Sequence, residues 1–349
     1  MRPVTWPLVL AALCGCDIRL DPDSLVRELR VLGARVGDDA PGSVADVDLG
    51  AEVLRLRALV AVPARPDRCG GAARVPQVDW YLCLTARSLL VPRAVDPDCA
   101  RFGPQDPDPK RGESPVLVHL ASGEQVDVPL GPLRAELVRR LRSMPGMGGL
   151  PAGLPLRPTQ VFVPVVVRAQ VAGTPGDDLC PAEAETAFLS ARLVLTPPGQ
   201  LPLPPNRNPM LGGVWALAEP LPEWEDPPGP PLTPCPPDGP CQPVPVPRGG
   251  SLYLRAVALD RSAEWYLPLD ESGRDLAIEV LRFSWFSTDG EFSELRTGGS
   301  SRTTRWRDQG DYAAPPEVRT VSVFVVLQDN RGGADWARYD LLLQDAGAP

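Results

Sequence analysis

The amino-acid sequence predicts an all-β protein made of two antiparallel sandwiches. Several short segments alternate apolar with polar side chains and are rich in β-branched residues, as strands are. The chain contains 45 prolines and 32 glycines, which break helices and suit turns and strand edges. The strand pattern occurs twice, on either side of a Pro-rich stretch, and 349 residues are enough for two domains.

The first half, residues 28–197, has five segments with strand character. They are 28–36, 53–62, 77–84, 161–171 and 186–195. Trp80 in the third segment is the large core candidate. We expect an insertion at 85–158, with one amphipathic helix at 131–144 because Leu133, Leu137 and Leu141 share a helical face.

A Pro-rich segment at 198–248 is expected to be a stiff linker or a long loop, because its composition does not supply a packed core. The second half, residues 249–349, then repeats the plan of the first. Its strand candidates are 251–260, 280–288, 318–329 and 335–344. Trp285 lies in the segment 280–288 and corresponds to Trp80 of the first half, so both tryptophans are expected in the cores.

The first residues indicate an exported chain. Arg2 precedes a short apolar run that ends in Leu13-Cys14-Gly15-Cys16. This tetrapeptide resembles the lipobox of bacterial lipoproteins, which implies a signal peptide at 1–15, a diacylglycerol (palmitate-bearing) anchor on Cys16 and a lipidated tether at 16–27. An ordinary cleaved signal with a nearby cysteine is the alternative. The lipobox implies the cell envelope, at the outer membrane or the periplasmic face of the inner membrane.

The second half also carries a family resemblance. "LRFSWFSTDGEFSE" followed by "VSVFVVLQDNRGGADWARYDLLL" resembles the PKD-type immunoglobulin-like domain, through Trp285, Asp289-Gly290 and Asp329-Asn330-x-Gly332-Gly333. The resemblance implies two immunoglobulin-like antiparallel sandwiches, the first with the helix-bearing insertion. As a whole the chain resembles uncharacterised Pro-rich envelope lipoproteins of Gram-negative bacteria.

Six cysteines besides Cys16 follow the expected cleavage point, and an even number in an exported chain favours disulfides. Cys235 and Cys241 flank a turn-forming stretch and are expected to pair. With 53–62, 77–84, 161–171 and 186–195 taken as strands B, C, F and G of an immunoglobulin-like sandwich, the B–C and F–G loops lie at one end. This implies the pairs Cys69–Cys180 and Cys83–Cys99.

The sequence contains little that indicates catalysis. Its only histidine, His119, lies in a strand-like segment, and no nucleophile elbow, phosphate loop or Cys-x-x-Cys is present. The acidic loops 96–109 and 269–275 are calcium candidates without EF-hand spacing. We therefore expect no cofactor, no metal and no enzyme activity. A net charge of −9 argues against nucleic acid as a partner.

Two functions remain open. The first is a non-catalytic, envelope-anchored lipoprotein that acts as a binding or structural spacer module and contacts the membrane through the lipid on Cys16. Its partner is then an envelope protein or a glycan. The alternative is an ancillary part of an envelope hydrolase that acts on carbohydrate.

Overall fold

A computed structural model shows an all-β protein, as the sequence predicts. It describes residues 24–38, 40, 42–48, 51–62, 74–85, 96–132, 134–135, 139, 161–173, 180–194, 206–236, 240–266, 276–299, 301–308 and 319–345. Within the span expected to be helical, residues 131–132, 134–135 and 139 are helical, and so is the preceding residue 130.

Nineteen strands are present in the described part of the chain. In the first half they are β1 Arg30–Val36, β2 Val47–Asp48, β3 Val53–Ala61, β4 Gln77–Cys83, β5 Leu117–Ser122, β6 Gln125–Pro129, β7 Val161–Val171 and β8 Glu183–Val194. In the second half they are β9 Leu211–Leu217, β10 Val244–Pro247, β11 Ser251–Ala258, β12 Trp265–Tyr266, β13 Ala277–Ile278, β14 Arg282–Ser287, β15 Glu291–Phe292, β16 Arg296–Gly298, β17 Ser301–Arg307, β18 Arg319–Gln328 and β19 Ala334–Gln344. Two short 3₁₀ helices, Pro97–Ala100 and Pro109–Arg111, lie between β4 and β5.

Each half forms two main sheets with corresponding strand orders, and the second half adds the two-stranded ribbon β12–β13. The first half pairs β1-β3-β6 in one sheet and β2-β8-β7-β4-β5 in the other. The second half pairs β9-β11-β17-β15 and β10-β19-β18-β14-β16. In both halves the last long strand carries a short parallel edge strand, β2 on β8 and β10 on β19. This arrangement is that of an immunoglobulin-like sandwich, with A, B and E in one sheet and C, F and G in the other.

The two cores lie between the paired sheets. Apolar residues that alternate along the central strands point inward from both sheets and form one continuous cluster in each half. Trp80 and Trp285 are 0% exposed, as expected. Trp80 donates its indole N–H to the carbonyl of Gly123, and Trp285 donates to the hydroxyl of Thr297, so neither indole leaves a buried donor unpaired.

The two sandwiches share a contact surface. A third apolar cluster combines residues of β1 and β3 with residues of β18; it contains Val26, Leu32, Ala61, Phe324 and Val326. At its rim Arg35 binds Asp335 at 2.8 Å and stacks over Trp336. Asn208 bridges the halves, because its side chain donates to the carbonyl of Val36 and accepts from the backbone N–H of Ala334.

The structure corrects the expectation that residues 198–248 are a linker or long loop. This segment contributes β9 and β10, one edge strand to each sheet of the second sandwich. Proline is compatible with this role, because an edge strand needs backbone donors on one side only. The expected insertion at 85–158 likewise contributes β5 and β6 to the sheets of the first sandwich, through pairing with β4 and β3.

The end of the expected tether is also part of the fold. Leu25 forms a parallel bridge with Ser287 of the second sandwich, and Val26 is 0% exposed. The chain thus contacts the second sandwich before it enters the first. Among the described residues, no helix has the length and apolarity needed to cross a bilayer.

Candidate functional site

Two of the three expected disulfides lie wholly within the described residues, and both are formed. Cys83 bonds to Cys99 with a Cα–Cα distance of 5.8 Å, and Cys235 bonds to Cys241 with 4.6 Å. Cys180 is also disulfide-bonded. Cys69 and the lipidation candidate Cys16 lie outside the described residues.

One contact supports the strand labels from which the Cys69–Cys180 pairing follows. Arg74, at the end of the B–C loop, forms an ion pair with Glu183 at 2.9 Å and donates to the carbonyl of Pro181. Both acceptors lie in the F–G hairpin next to Cys180. The two loops therefore lie at the same end of the sandwich, and the pairing itself stays a prediction.

A polar cluster centred on Asp79 lies on the outer face of the first sandwich. Its members come from β4, from β5 and from the 3₁₀ helix Pro109–Arg111, and the Cys83–Cys99 disulfide ties the connecting loop to the sheet. Asp79 is 1% exposed. Its carboxylate accepts from Ser122 Oγ at 2.6 Å and from Lys110 Nζ at 2.7 Å. The only lysine and the only histidine of the chain meet here, since His119 Nε2 lies 3.8 Å from the same carboxylate.

The electrostatics of the cluster favour a charged aspartate. Burial opposes the ionisation of Asp79, but the adjacent His119 and the hydrogen bonds from Lys110 and Ser122 outweigh it and lower the pKa to about 2. Asp79 is thus a carboxylate at neutral pH, and it holds Lys110 and the loop around it against the sheet. Phe102 of the same loop packs on Tyr81 with ring centroids 5.2 Å apart.

Serine, histidine and aspartate side chains meet in this cluster, but not as a proton relay. In a nucleophilic triad the imidazole uses one nitrogen for the serine and the other for the aspartate. Here Nε2 of His119 faces both, at 3.4 Å from Ser122 Oγ and 3.8 Å from Asp79. Ser122 donates its proton directly to Asp79, so its lone pairs are not activated by the imidazole. The arrangement supports a structural role.

A second candidate is the two-stranded ribbon β12–β13, which connects strands B and C of the second sandwich. Its outward face is apolar. Trp265 lies directly opposite Ile278, and Leu276 and Val280 lie two residues to either side of Ile278, on the same face of an extended chain. The exposed fractions of Trp265, Leu276, Ile278 and Val280 are 62%, 63%, 49% and 50%.

The inward face of the ribbon is polar. The side chain of Glu279 is 0% exposed and binds Arg331 at 2.8 Å, while its other oxygen accepts from the backbone N–H of Glu264 at 2.9 Å. Tyr266 accepts a hydrogen bond from Asn330 and lies under the Arg331 guanidinium. Burial raises the pKa of Glu279, against the opposing effect of Arg331. The ribbon therefore reverses the usual order, with charges inside and apolar side chains outside.

The turn that holds the ribbon is the Asp329-Asn330-x-Gly332-Gly333 segment. Asp329 Oδ1 accepts from the backbone N–H groups of Arg331 and Gly333, which closes the turn between β18 and β19. Gly332 has a φ of +98°, which favours glycine. The turn then directs Asn330 and Arg331 into the ribbon. Burial, reinforced by the charge of Glu279, raises the pKa of Asp329 to about 7.

The acidic loop 96–109 uses its carboxylates locally. Asp96 accepts from the backbone N–H of Asp98, Asp106 from that of Gly103 and Asp108 from that of Lys110. The second calcium candidate, 269–275, lies outside the described residues. In the described ranges, the group with metal-ligand spacing is Cys235, Cys241 and Asp340, and its sulfur atoms are joined in a disulfide.

The sequence interpretation missed both the Asp79 cluster and the ribbon. The single lysine and single histidine were visible signals, but nothing local brings Lys110 beside Asp79. The ribbon had a clearer signal, because Leu276, Ile278 and Val280 alternate with Ala277 and Glu279. Alternation of this kind indicates a strand, but it does not tell which face the sandwich covers.

Comparison with protein-family models gives no match for this chain, and comparison with curated proteins gives none either.

Proposed function

We propose that this chain is a non-catalytic, envelope-anchored lipoprotein that binds another envelope protein through the outward face of ribbon β12–β13. The observation that carries the proposal is the reversed polarity of the ribbon. Four large apolar side chains are exposed on a face whose opposite side holds a buried ion pair. A contiguous apolar patch on a folded surface is typical of an interaction site.

The size of the patch argues for a protein partner other than a second copy. Taken from their exposed fractions, the four side chains present roughly 400 to 500 Å². A symmetric dimer through this face would bury about twice that area, which is below the roughly 1,200 Å² of a stable interface. Two copies that each carry a net charge of −9 repel each other across the polar surroundings, whereas a partner of different charge can extend the contact there and reach the required area.

Two other occupants fit less well. Three of the four exposed side chains are aliphatic, and these offer no hydrogen bonds to the hydroxyl groups of a glycan. A net charge of −9 is unfavourable at an anionic lipid surface. Glu279 and Tyr266 bind Arg331 and Asn330 and so attach the ribbon to the β18–β19 turn, which reduces the entropy lost on binding.

Site-specific photocrosslinking in the native envelope tests the proposal. A photoreactive residue at position 278 is expected to give a protein adduct of one defined mass, and one at Arg305, on an exposed part of β17, is the negative position. Trp265→Ser should remove the adduct. Trp224→Ser is the matched control, because Trp224 is 87% exposed and lies outside the ribbon. An adduct with the mass of two copies of this chain, or one that persists in Trp265→Ser, contradicts the proposal.

A further inference from the structure

The two described disulfides differ in their surroundings. Cys83 and Cys99 are both 0% exposed, within the loop-covered face of the first sandwich. Cys235 and Cys241 are partly exposed and lie only six positions apart in the Pro-rich segment before β10. The first bond is shielded from thiols in solution, and the second is accessible to them.

A cation lies directly beside the accessible bond. Arg338 of β19 donates a hydrogen bond from Nη2 to Cys241 Sγ at 2.9 Å. Its Nε atom is buried and has no hydrogen-bond acceptor among the described residues. The hydrogen bond from Nη2 already joins the guanidinium to Cys241 Sγ, and it would become charge-assisted if Cys241 carried a thiolate.

The nearest negative charge, on Asp340, affects Cys241 less than Arg338 does. Asp340 has a carboxylate oxygen within 4.8 Å of both sulfur atoms. Its Oδ1 accepts from Ser322 at 2.9 Å and lies 3.8 Å from Arg338 Nε, so part of its charge is already compensated. Arg338 is closer to Cys241 and makes a direct hydrogen bond, so the net effect favours a thiolate.

We propose that Cys235–Cys241 is a site of thiol–disulfide exchange, which reacts with the thiolate of a thiol or dithiol reductant. The incoming thiolate attacks Cys235 Sγ, and a new S–S bond forms between the reductant and Cys235 while the Cys235–Cys241 bond breaks. The electron pair of the broken bond leaves on Cys241, which becomes a thiolate held by Arg338. A second thiolate then attacks the mixed disulfide, so that two reductant thiols are oxidised to one disulfide and the protein gains two thiols.

Arg338 determines which sulfur leaves. The better leaving group in thiol exchange is the sulfur whose thiolate is more stable, and Arg338 contacts Cys241. Cys235 is positioned differently, since its backbone N–H donates to the carbonyl of Arg338 at 2.7 Å. The backbone at Cys235 thus stays attached to β19 while its sulfur carries the mixed disulfide. Arg338 acts as a positioning residue, because it works through Cys241. This inference does not depend on the proposed partner of the ribbon.

The test measures the reduction of each disulfide in the full-length chain. The protein is incubated with millimolar glutathione and quenched with N-ethylmaleimide at successive times, and peptide mapping locates free thiols and glutathione adducts. Modification at Cys235 and Cys241 should appear at least about tenfold sooner than at Cys83 and Cys99. The first glutathione adduct should lie on Cys235.

Charge variants separate the role of Arg338 from a packing effect. Arg338→Gln should slow the reduction about threefold or more, Arg338→Lys should restore most of the rate, and Asp340→Asn should accelerate it. Arg305→Gln, an exposed substitution on the other sheet, should leave the rate unchanged. Unaltered fluorescence of the buried Trp285 and Trp306, together with unaltered protection of Cys83 and Cys99, shows that both sandwiches of each variant are folded. Equal reduction rates for both disulfides, an adduct mainly on Cys241, or an Arg338→Gln rate equal to that of Arg305→Gln would each overturn the inference.

Discussion

Arg35 offers the sharpest test of whether the two sandwiches stabilise each other. Its side chain is 7% exposed and binds Asp335 of the second sandwich at 2.8 Å, with its guanidinium 4.5 Å from the ring centroid of Trp336. Arg35→Met retains much of the apolar stem and removes the charge. Asp335 then loses its cation but keeps two backbone donors, Leu211 at 2.8 Å and Trp336 at 2.9 Å.

The loss in the free energy of unfolding depends on how well Asp335 is stabilised once Arg35 is removed. Removal of one partner from a fully buried ion pair costs about 3–5 kcal/mol. Asp335 is 26% exposed and keeps its backbone hydrogen bonds, so the cost should be nearer to about 2 kcal/mol. Loss of the stacking on Trp336 adds roughly 0.5–1 kcal/mol. We expect the free energy of unfolding in Arg35→Met to fall by about 2–3 kcal/mol.

Urea denaturation followed by tryptophan fluorescence and circular dichroism measures this change. Arg55→Met is the matched control: Arg55 pairs with Asp38 at 3.3 Å, but their side chains are 48% and 36% exposed, so the loss should stay below about 1 kcal/mol. A double-mutant cycle with Asp335→Asn should give a coupling energy on the order of 1 kcal/mol or more. If Arg35→Met costs no more than Arg55→Met, the contact between the sandwiches does not contribute to stability and the argument is wrong.

Three further predictions follow from individual groups. The pKa of Asp79 is about 2, below its value in the unfolded chain, so its contribution to the free energy of unfolding is present above pH 4 and is lost as the pH falls towards 2. Acid titrations should therefore show a smaller loss of stability in Asp79→Asn than in the wild type. An equal loss contradicts the assignment of a charged Asp79. The pKa of Asp329 is raised to about 7, so the stability of the wild type should decrease as the pH rises from 4 to 7. Asp329→Asn keeps the acceptor oxygen of the turn, and its stability relative to the wild type should be higher at pH 8 than at pH 4. A difference between the two proteins that does not change with pH contradicts the raised pKa. Cys16→Ala should release the protein from membranes or block its maturation. Fractionation and mass spectrometry of the lipid-modified peptide measure this. An unmodified, soluble mature form of the wild-type chain refutes the lipid anchor on Cys16.

Local pattern alone was sufficient for the elements that lie in sheet centres. The segments 53–62, 77–84 and 161–171 became β3, β4 and β7, because alternation and β-branching act within one strand and do not depend on its partners. Trp80 and Trp285 are buried because a large apolar side chain at an inward position of a central strand packs against the opposite sheet. Cys235 and Cys241 meet because they flank one short turn.

The tertiary structure decided everything that depends on residues far apart in the chain. The composition of 198–248 predicts a stiff linker or a long loop. In the structure this segment forms β9 and β10, which become edge strands because β11 and β19 offer them unpaired backbone groups. Lys110 and Asp79 meet through a disulfide-tied loop, and Arg35 meets Asp335 across three hundred positions of chain. The apolar face of ribbon β12–β13 points outward because Asn330 and Arg331, from a distant turn, bind its polar face. A periodic pattern determines that a strand has two faces, and only long-range contacts determine which of them is covered.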